Sequence, residues 1–483
     1  MNVLIISPLR TVAPHFETEL EIAQRHIEAG DEVTFLSCLG ELDACDFNPG
    51  RDPDKCEACR LRRQHGLTRL TTTCRSAGMT PLGNAAIPAV CLQSPQALRQ
   101  WKIQNFDIGY ACLSSLVSLT RDPQPDLAKH RDQLERLARA ALATWNTTLG
   151  WLTTRRPDRV YVFNGRFAAT RAVLRACQLA KINCYIHERG CDTRHFQLYR
   201  NHLPHDIDQV QRRMRHHWNR QSANPRRDQL ARAWYRGRVA RVETNWHSFV
   251  RGQTHGQLPD SWNSRRHNIA VYTSSEDEFV AIGDCWQNRL YPDQSEALNR
   301  IAVDLETTRP DAHLTIRVHP NLAGVDNAST RALQGLNRSN VTLIDATARI
   351  DSYQLMRAAD TVVTFGSTMG MESVYWSRPS VLLGPCFYQS LRGTYQARSH
   401  GETLRLLTAD LMPRFNHDAL LYGYWMQTHG IGFTHFQADG LFTGTFRGET
   451  VYPKPPRTLG RRMARQVHSL GKRLPVISRR RAA

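Results

Sequence analysis

The sequence lacks any long hydrophobic run: its 483 residues contain no stretch of about 18 uncharged apolar residues. This excludes a helix that spans a membrane. The N-terminal segment MNVLIISPLR has no basic residue before its apolar run, and that run is too short for a signal peptide. We therefore expect a cytoplasmic protein whose twelve cysteines are reduced thiols or metal ligands, because a disulfide framework belongs to secreted proteins.

Acidic residues are scarce, with 44 Asp and Glu against 63 Lys and Arg and a formal net charge of +19. No acid follows Thr450, and the last segment, 454–483, combines many Lys and Arg with apolar residues at helical spacing. This pattern predicts a basic amphipathic tail. Such a tail can bind an anionic membrane surface, stay solvated, or bind nucleic acid, and the first reading places the protein peripherally on the inner membrane face.

Strands and helices alternate along most of the chain. The pattern predicts strands at 3–6, 32–37, 159–163, 183–187, 268–273, 314–318, 341–344 and 361–365, and helices at 16–29, 168–180, 294–308 and 369–376. This order is typical of an α/β fold with two doubly wound, Rossmann-like domains that face a cleft. We predict an N-terminal domain (1–251, with a Cys-containing insertion at 38–74), a linker (252–268), a C-terminal domain (269–405), an extension (406–453) and the tail (454–483).

Polar residues follow several of these predicted strands, at the sheet edge where such folds bind ligands. The segments are NGRF, HERG, TSSEDEF, RVHPN and FGST. Their candidate site residues are Asn164, Gly165, Arg166, Glu188, Arg189, Ser274, Ser275, Arg317, His319, Pro320, Gly366, Ser367 and Thr368.

The Gly366-Ser367-Thr368 turn joins a strand to a helix. Backbone N–H groups, two hydroxyls and a flexible glycine at such a junction suit a phosphate. Glu372, one helical turn on, is placed to hold sugar hydroxyls. The alternative readings are that Ser367 is an N-cap, that Glu372 is a solvated helix residue, and that His319 belongs to a proline turn.

HERG, RVHPN and FGSTMGMES, in this order across two α/β halves, resemble the motifs of GT-B glycosyltransferases that build bacterial surface polysaccharides. The group is the capsule biosynthesis family, related to polysialyltransferases and Kdo transferases, and the resemblance covers most of residues 1–400. It implies an enzyme of hexosyl-, sialyl- or Kdo-transferring type. The enzyme would move a sugar from a UDP- or CMP-linked donor to a surface polysaccharide or glycolipid acceptor.

The resemblance also implies roles for the candidate residues. His319, Ser367 and Thr368 match the residues that bind the donor phosphate, Glu188 matches the general base, and Glu372 matches a ribose-binding glutamate. We expect Ser274, Ser275, Arg317, Pro320 and Gly366 on the nucleotide-sugar side, and Asn164, Arg166 and Arg189 on the acceptor side. An inverting transfer with these groups needs no catalytic metal or other cofactor. Alternatively, Glu188 caps a turn or pairs with Arg189.

Two rival functions remain open. A hydrolysing UDP-sugar epimerase has the same fold and a similar nucleotide site. A non-enzymatic nucleic-acid-binding protein is suggested by charge, because arginines crowd 211–241 and alternate with Trp218, Trp234 and Tyr235. We regard nucleic acid as the less favoured partner, since a basic surface also suits an anionic donor, an acidic glycan or a membrane.

Four cysteines in the N-terminal domain form a separate candidate. Cys56 and Cys59 have Cys-x-x-Cys spacing, and Cys38 with Cys45 (or Cys74) would complete four thiolates for a structural zinc. The alternative is that they are ordinary thiols.

Overall fold

The computed structural model describes residues 1–83, 86–90, 92–220, 224–414 and 417–452. The predicted amphipathic tail, 454–483, lies outside these residues. Within these ranges no helix combines the length and the apolar character needed to cross a bilayer.

The elements of the first half are, in chain order, β1 (Asn2–Ser7), α1 (His15–Glu28), β2 (Glu32–Ser37), α2 (Pro53–Leu67), β3 (Arg75–Gly78), α3 (Pro95–Gln100), α4 (Ile108–Thr120), α5 (Arg131–Arg155), β4 (Arg159–Phe163), α6 (Ala168–Leu179), β5 (Asn183–Arg189), β6 (His195–Arg200), α7 (Ile207–Asn219) and α8 (Pro225–Val239). Those of the second half are β7 (His267–Tyr272), α9 (Gln294–Thr308), β8 (Ala312–Arg317), α10 (Ala328–Gln334), β9 (Val341–Ile344), α11 (Ser352–Ala358), β10 (Thr361–Thr364), α12 (Met369–Tyr375), β11 (Ser380–Leu382), β12 (Tyr395–Gln396) and α13 (His400–Thr408). The C-terminal elements are α14 (His417–Thr428), β13 (Ile431–Gly432), β14 (Phe436–Ala438), β15 (Gly444–Phe446) and β16 (Glu449–Thr450).

Two large sheets organise the chain. The first has the order β13-β6-β5-β4-β1-β2-β3, and the five strands from β5 to β3 run parallel. The second has the order β12-β11-β10-β7-β8-β9 and is parallel throughout. The predicted fold of two doubly wound α/β units is confirmed.

Both sheets are buried on both faces, which explains their continuous apolar strands. In β1, Leu4 and Ile6 pack with α4, α5 and α6, whereas Val3 and Ile5 pack with α1 on the opposite face. The central strand β7 of the second sheet alternates in the same way. Because successive side chains of a strand point to opposite faces, helices are needed on both sides.

The prediction for the end of β5 was wrong. Glu188 and Arg189 were placed in a loop after the strand, but both lie within β5, opposite Gln197 and Phe196 of the antiparallel strand β6. The apolar pattern ends at His187, while the hydrogen-bonded ladder continues because β6 folds back alongside.

The aromatic residues among the arginines at 211–241 do not form the exposed surface that the nucleic-acid alternative needs. Trp218, Trp234 and Tyr235 are buried at 5%, 5% and 0% exposure, so none offers a stacking face to a nucleic acid. They pack between α7, α8 and α14, where the Tyr235 hydroxyl donates to the Ala419 carbonyl at 2.7 Å. The arginines lie around this aromatic core.

A loop from the second half reaches across to the first half. Arg121 pairs with Asp277, and Arg166 donates to the Glu278 carbonyl at 3.3 Å. Arg171 donates to the Ile282 carbonyl at 2.8 Å. These bonds set the position of the loop after β7.

The domain boundaries given above stay a prediction, although the proposed linker is partly buried through Gln253, which bonds to Ser352 at 3.0 Å.

The chain returns to the first sheet after α14. Strand β13 pairs with β6. The carboxylate of Glu21 on α1 accepts hydrogen bonds from the backbone N–H groups of Thr434, His435 and Phe436 at 2.8, 2.8 and 3.1 Å. The Glu21 side chain is fully buried and also accepts from Arg25 at 2.7 Å. One carboxylate therefore holds the C-terminal return segment, 431–452, on the first sheet.

We expect Glu21→Gln to loosen this segment, because an amide nitrogen would face N–H donors that now meet a carboxylate oxygen. Amide exchange in peptides from 431–452 should become roughly 10-fold to 100-fold faster, an opening free energy lower by about 1.4 to 3 kcal/mol. Hydrogen exchange followed by mass spectrometry measures this. The matched control is Glu28→Gln on the same helix, whose half-exposed carboxylate meets only His435 of the segment. Equal exchange in the two variants would contradict the role of Glu21.

Candidate active site

One cavity collects most of the predicted donor residues at the carboxyl ends of the second sheet. This cleft cavity is lined by loops after β7, β8 and β10 and by the segment 242–250. The predicted residues that line it are Ser274, Ser275, Arg317, His319, Pro320, Gly366, Ser367 and Thr368. Eight of the nine predicted nucleotide-sugar residues thus share one cavity; their contact with a donor stays a prediction.

The His319 ring is held in one tautomer. Its Nδ1 accepts the Asn321 N–H at 3.1 Å, which leaves the ring proton on Nε2. Burial lowers the pKa of His319 to about 4 from its ordinary value of 6.5, so the ring is neutral at neutral pH. The backbone N–H of His319 donates to Thr273 at 2.9 Å, and the Phe249 ring packs at a centroid distance of 5.0 Å. His319 is therefore a fixed, neutral hydrogen-bond donor.

The Gly366-Ser367-Thr368 turn is tightly built. Gly366 has φ +119, and a Cβ there would lie 2.9 Å from the Pro385 carbonyl oxygen, so no side chain fits. The Ser367 hydroxyl accepts the Met369 N–H at 3.4 Å, which leaves its own proton available to a ligand. Ser274 adds a second hydroxyl, which is buried and has no hydrogen-bond partner within the described residues.

Glu372 has a different position from the one predicted. Its side chain is fully buried and does not line the cleft cavity; it accepts from Thr368 at 2.8 Å and from the Tyr353 hydroxyl, and it pairs with Arg238 at 3.5 Å. Both carboxylate oxygens are engaged, so no oxygen is left for ribose hydroxyls in this arrangement. Glu372 orients Thr368 instead, because its carboxylate accepts the hydrogen bond of the Thr368 hydroxyl.

Arg317 and Ser275 are tied to neighbouring loops. Arg317 donates to the Asp345 and Ala348 carbonyls at 3.0 and 2.9 Å, which supports the loop after β9. The Ser275 hydroxyl donates to Asp277 at 2.6 Å. Both side chains shape the cavity wall with these bonds.

The acceptor-side residues gather at the carboxyl ends of β4 and β5. Asn164, in the left-handed region with φ +59, donates to Glu188 at 2.6 Å and accepts the Arg166 N–H at 3.2 Å. Burial raises the pKa of Glu188, partly opposed by the Asn164 hydrogen bond. A carboxylate in this state accepts a proton more readily than a solvated one.

Arg189 does not face this group. Its guanidinium donates to the Asn245 and Leu441 carbonyls at 2.9 and 3.0 Å and stacks on the Phe442 ring at 4.8 Å. These partners lie 56 and 252 residues away in sequence, so no local pattern predicts them. Arg189 joins the C-terminal return segment to the cleft.

Two carboxylates near this group were missed. Burial raises the pKa of Asp46 to about 6, and its charge acts on Arg166. Glu278 lines the cleft cavity and accepts the Asn321 amide at 2.6 Å. Glu278 lies in TSSEDEF, a segment singled out above for its serines; Asp46 carries no sequence signal beyond its place in the Cys-containing insertion.

The four cysteines of the zinc prediction line one small pocket. Backbone N–H groups of Arg10, Thr11 and Gly40 donate to Cys45, Cys59 and Cys38 at 3.3, 3.2 and 3.4 Å. Yet no three of the four sulfur atoms, all among the described residues, lie within 4.8 Å of one another. As they stand they are too far apart to share one ion, and zinc there stays a prediction. Asp206, in HDID, caps α7 by accepting the Gln209 N–H at 3.0 Å.

The low pKa of His319 predicts a pH effect on stability. The unfolded chain protonates this ring near pH 6.5, the folded chain only near pH 4, so the unfolded state binds more protons between these values. Stability therefore falls as the pH drops from 6.5 to 4. His319→Gln should remove up to about 1.4 kcal/mol per pH unit of this slope.

Thermal unfolding midpoints between pH 7 and pH 4 test this. The control is His255→Gln, at an exposed position outside the cleft cavity. If the midpoints of the His319 variant fall as steeply with acid as those of the control, the neutral, buried state of His319 is refuted.

One family model matches part of the chain. Residues 280–417 match the model described as "Capsule polysaccharide biosynthesis protein". No curated protein matches the chain. Among solved structures, the β-Kdo 2,4 transferase KpsC of Thermosulfurimonas dismutans aligns at 12% identity with a TM-score of 0.37. The alignment covers 56% of this chain and 79% of that chain. The UDP-GlcNAc 2-epimerase of Neisseria meningitidis, bound to UDP-GlcNAc, aligns at 11% identity with a TM-score of 0.30. This alignment covers 88% of this chain and 97% of that chain.

Because these TM-scores lie below 0.5, the two solved structures provide no support for an assignment. The relationship to known proteins therefore rests on the family match. The matched segment carries the His-Pro and Ser-Thr motifs and most of the cleft cavity's second-sheet wall. The predicted resemblance to the capsule polysaccharide biosynthesis family is confirmed over residues 280–417, which carry RVHPN and FGSTMGMES; HERG, at 187–190, lies outside the matched segment.

Proposed function

We propose that the protein is a glycosyltransferase that moves a sugar from a nucleotide sugar to a glycan or glycolipid acceptor in surface polysaccharide synthesis. One observation carries the proposal: Nε2–H of His319 and the hydroxyl of Ser367 are available hydrogen-bond donors that line one cavity at the carboxyl ends of a parallel sheet. The family match over 280–417 supports it.

These donors suit the leaving group of a glycosyl transfer. As the bond from the sugar to the phosphate breaks, negative charge accumulates on the phosphate oxygens. Neutral donors already in place need no reorganisation at that moment, and the partly enclosed cavity strengthens each bond. His319 is the most rigid of them, because its Nδ1 and its backbone N–H are both bonded.

Glu188 is the proposed base for the acceptor hydroxyl. Its raised pKa favours proton uptake. The Asn164 amide donates to Oε1 at 2.6 Å and the Arg189 backbone N–H donates to Oε2 at 3.3 Å, so Oε2 has the longer contact and is the oxygen proposed to take the proton. Attack from the side opposite the leaving nucleotide would invert the configuration at the sugar. In this scheme the transfer uses hydrogen-bond donors and one carboxylate, without a catalytic metal.

The basic surface suits an anionic partner. Arg212, Arg226, Arg232 and Arg236 are exposed on α7 and α8. We infer that this surface receives an acidic glycan or faces anionic lipid, which would place the enzyme peripherally on the inner membrane face.

His319→Ala should weaken binding of the donor nucleotide by about 1.5 to 3 kcal/mol, since it removes a hydrogen bond to a charged phosphate. Calorimetric titration of UDP and CMP measures the affinity, which should fall roughly 10-fold to 150-fold for whichever nucleotide binds. His255→Ala is the control, and the folded state of both variants is checked by circular dichroism. Unchanged nucleotide affinity in the His319 variant would remove this residue from the donor site.

Glu188→Gln tests the reaction itself. The amide keeps the shape of the carboxylate but cannot accept the proton, so donor binding should persist while transfer falls by roughly 10²-fold to 10⁴-fold. Glu278→Gln is the matched control, a carboxylate that lines the cleft cavity and has no part in the proposed proton transfer, for which we expect less than about a 10-fold loss.

Transfer rate and nucleotide affinity are measured on the same samples. Normal transfer in the Glu188 variant, or a loss of transfer confined to the Glu278 variant, would refute the assignment of the base. Nucleotide-sugar turnover that needs no acceptor would favour an epimerase, and salt-sensitive RNA binding without nucleotide-sugar binding would favour the nucleic-acid alternative.

A further inference from the structure

Three potential metal ligands of different kinds meet in the turn between β5 and β6. They are the sulfur of Cys191, a carboxylate oxygen of Asp192 and a ring nitrogen of His195, and all three atoms lie within 4.8 Å of one another. This trio has no part in the proposed transfer. Cys191 is buried and lines the cleft cavity, whereas Asp192 and His195 are partly exposed.

The contacts distinguish a chelating group from a catalytic relay. Nδ1 of His195 lies 2.5 Å from Oδ1 of Asp192 and 3.6 Å from Sγ of Cys191. In a nucleophile–histidine–acid relay the two ring nitrogens face different partners, so that the proton can pass through the ring. Here one nitrogen faces both partners, and the three atoms converge on a common point.

The spacing fits a small tetrahedral ion. Zinc bonds of about 2.3 Å to sulfur and 2.0 to 2.1 Å to nitrogen, at a tetrahedral angle, place the two atoms about 3.5 Å apart. The Cys191–His195 distance of 3.6 Å agrees with this value. The shorter Asp192–His195 distance is that of a hydrogen bond, so these two atoms must separate by nearly 1 Å when an ion replaces the shared proton.

The surroundings hold the three groups in place. Arg194 binds Oδ2 of Asp192 through Nη2 and Nε at 2.7 and 3.1 Å, and its backbone N–H donates at 2.9 Å to Oδ1, the oxygen that faces His195. The Cys191 N–H donates to the His429 carbonyl at 2.9 Å. Such second-layer bonds orient metal ligands in many proteins.

Two glycines let the backbone close around His195. A Cβ at Gly190 would lie 2.6 Å from the Cβ of His195, and a Cβ at Gly430 would lie 2.7 Å from it. The turn and the C-terminal return segment therefore enclose His195 only because both positions lack a side chain.

We propose that Cys191, Asp192 and His195 bind one divalent transition-metal ion of zinc type. Mixed sulfur, nitrogen and oxygen donors suit zinc among the common divalent ions, and three protein ligands leave a fourth position open. On binding, the thiol releases its proton to solvent, and His195 coordinates through Nδ1 while its ring proton lies on Nε2. The proposal stands independently of the transfer reaction.

Zinc titrated into the full-length, chelator-treated protein, followed by calorimetry, tests the site. Cys191→Ser and His195→Ala should each weaken binding at one site by more than about 10-fold, because loss of a residue that only supports a ligand already costs about that much. Cobalt supplies a second readout: the thiolate-to-cobalt charge-transfer band in the near ultraviolet should appear in the wild type and be absent from Cys191→Ser.

The controls separate this site from other thiols. Cys285→Ser removes an exposed cysteine outside the trio, and the double variant Cys56→Ser, Cys59→Ser removes the second predicted zinc site. Both should retain the trio's binding. Asp192→Asn, which preserves the shape of the turn, replaces any variant that fails to fold. Zinc affinity and cobalt absorption equal to wild type in the Cys191, Asp192 or His195 variants would overturn the proposal, as would loss of all binding in the Cys56, Cys59 double variant.

Discussion

The buried carboxylate of Glu372 is the interaction on which the shape of the cleft depends. It binds Thr368 in its own turn, Tyr353 on α11 and Arg238 on α8, and its side chain has no contact with solvent. A charge in such a place is tolerated only while its partners stay in position, because an unpaired buried carboxylate costs several kcal/mol. Three elements from distant parts of the chain are thereby fixed around the turn that carries Ser367.

The loop after β7 has the corresponding role between the two halves. Its acids and carbonyls receive Arg121, Arg166 and Arg171 from the first half, while its serines line the cleft cavity. Ser274 and Phe279 also line a neighbouring cavity on the other side of this loop. The loop that joins the halves thus also divides the space between them into two cavities.

The sequence predicted the two sheets well, because apolar runs bounded by polar loops are a local property of parallel strands. β2, β4 and β9 begin and end at the predicted residues, and the helix α9 does so too. The helices α4 and α5 were not predicted: α4 is apolar around its whole circumference and so shows no amphipathic period.

The candidate site was predicted as a set of loops but not as a set of contacts. Residues that follow parallel strands necessarily meet at one sheet edge, which brought eight donor-side residues into one cavity. The burial of Glu372 and the outward bonds of Arg189 depend on Arg238, Asn245 and Leu441, which lie far away along the chain. Such partners are set by tertiary packing, and no spacing rule contains them.

The C-terminal return has a mechanical consequence. The chain passes from the first sheet to the second between α8 and β7, and it passes back between α13 and β13. Hydrogen bonds to Glu21 hold the returning chain just after β13. Because the chain crosses twice, a break in either crossing leaves the other in place, and the two sheets remain attached to each other.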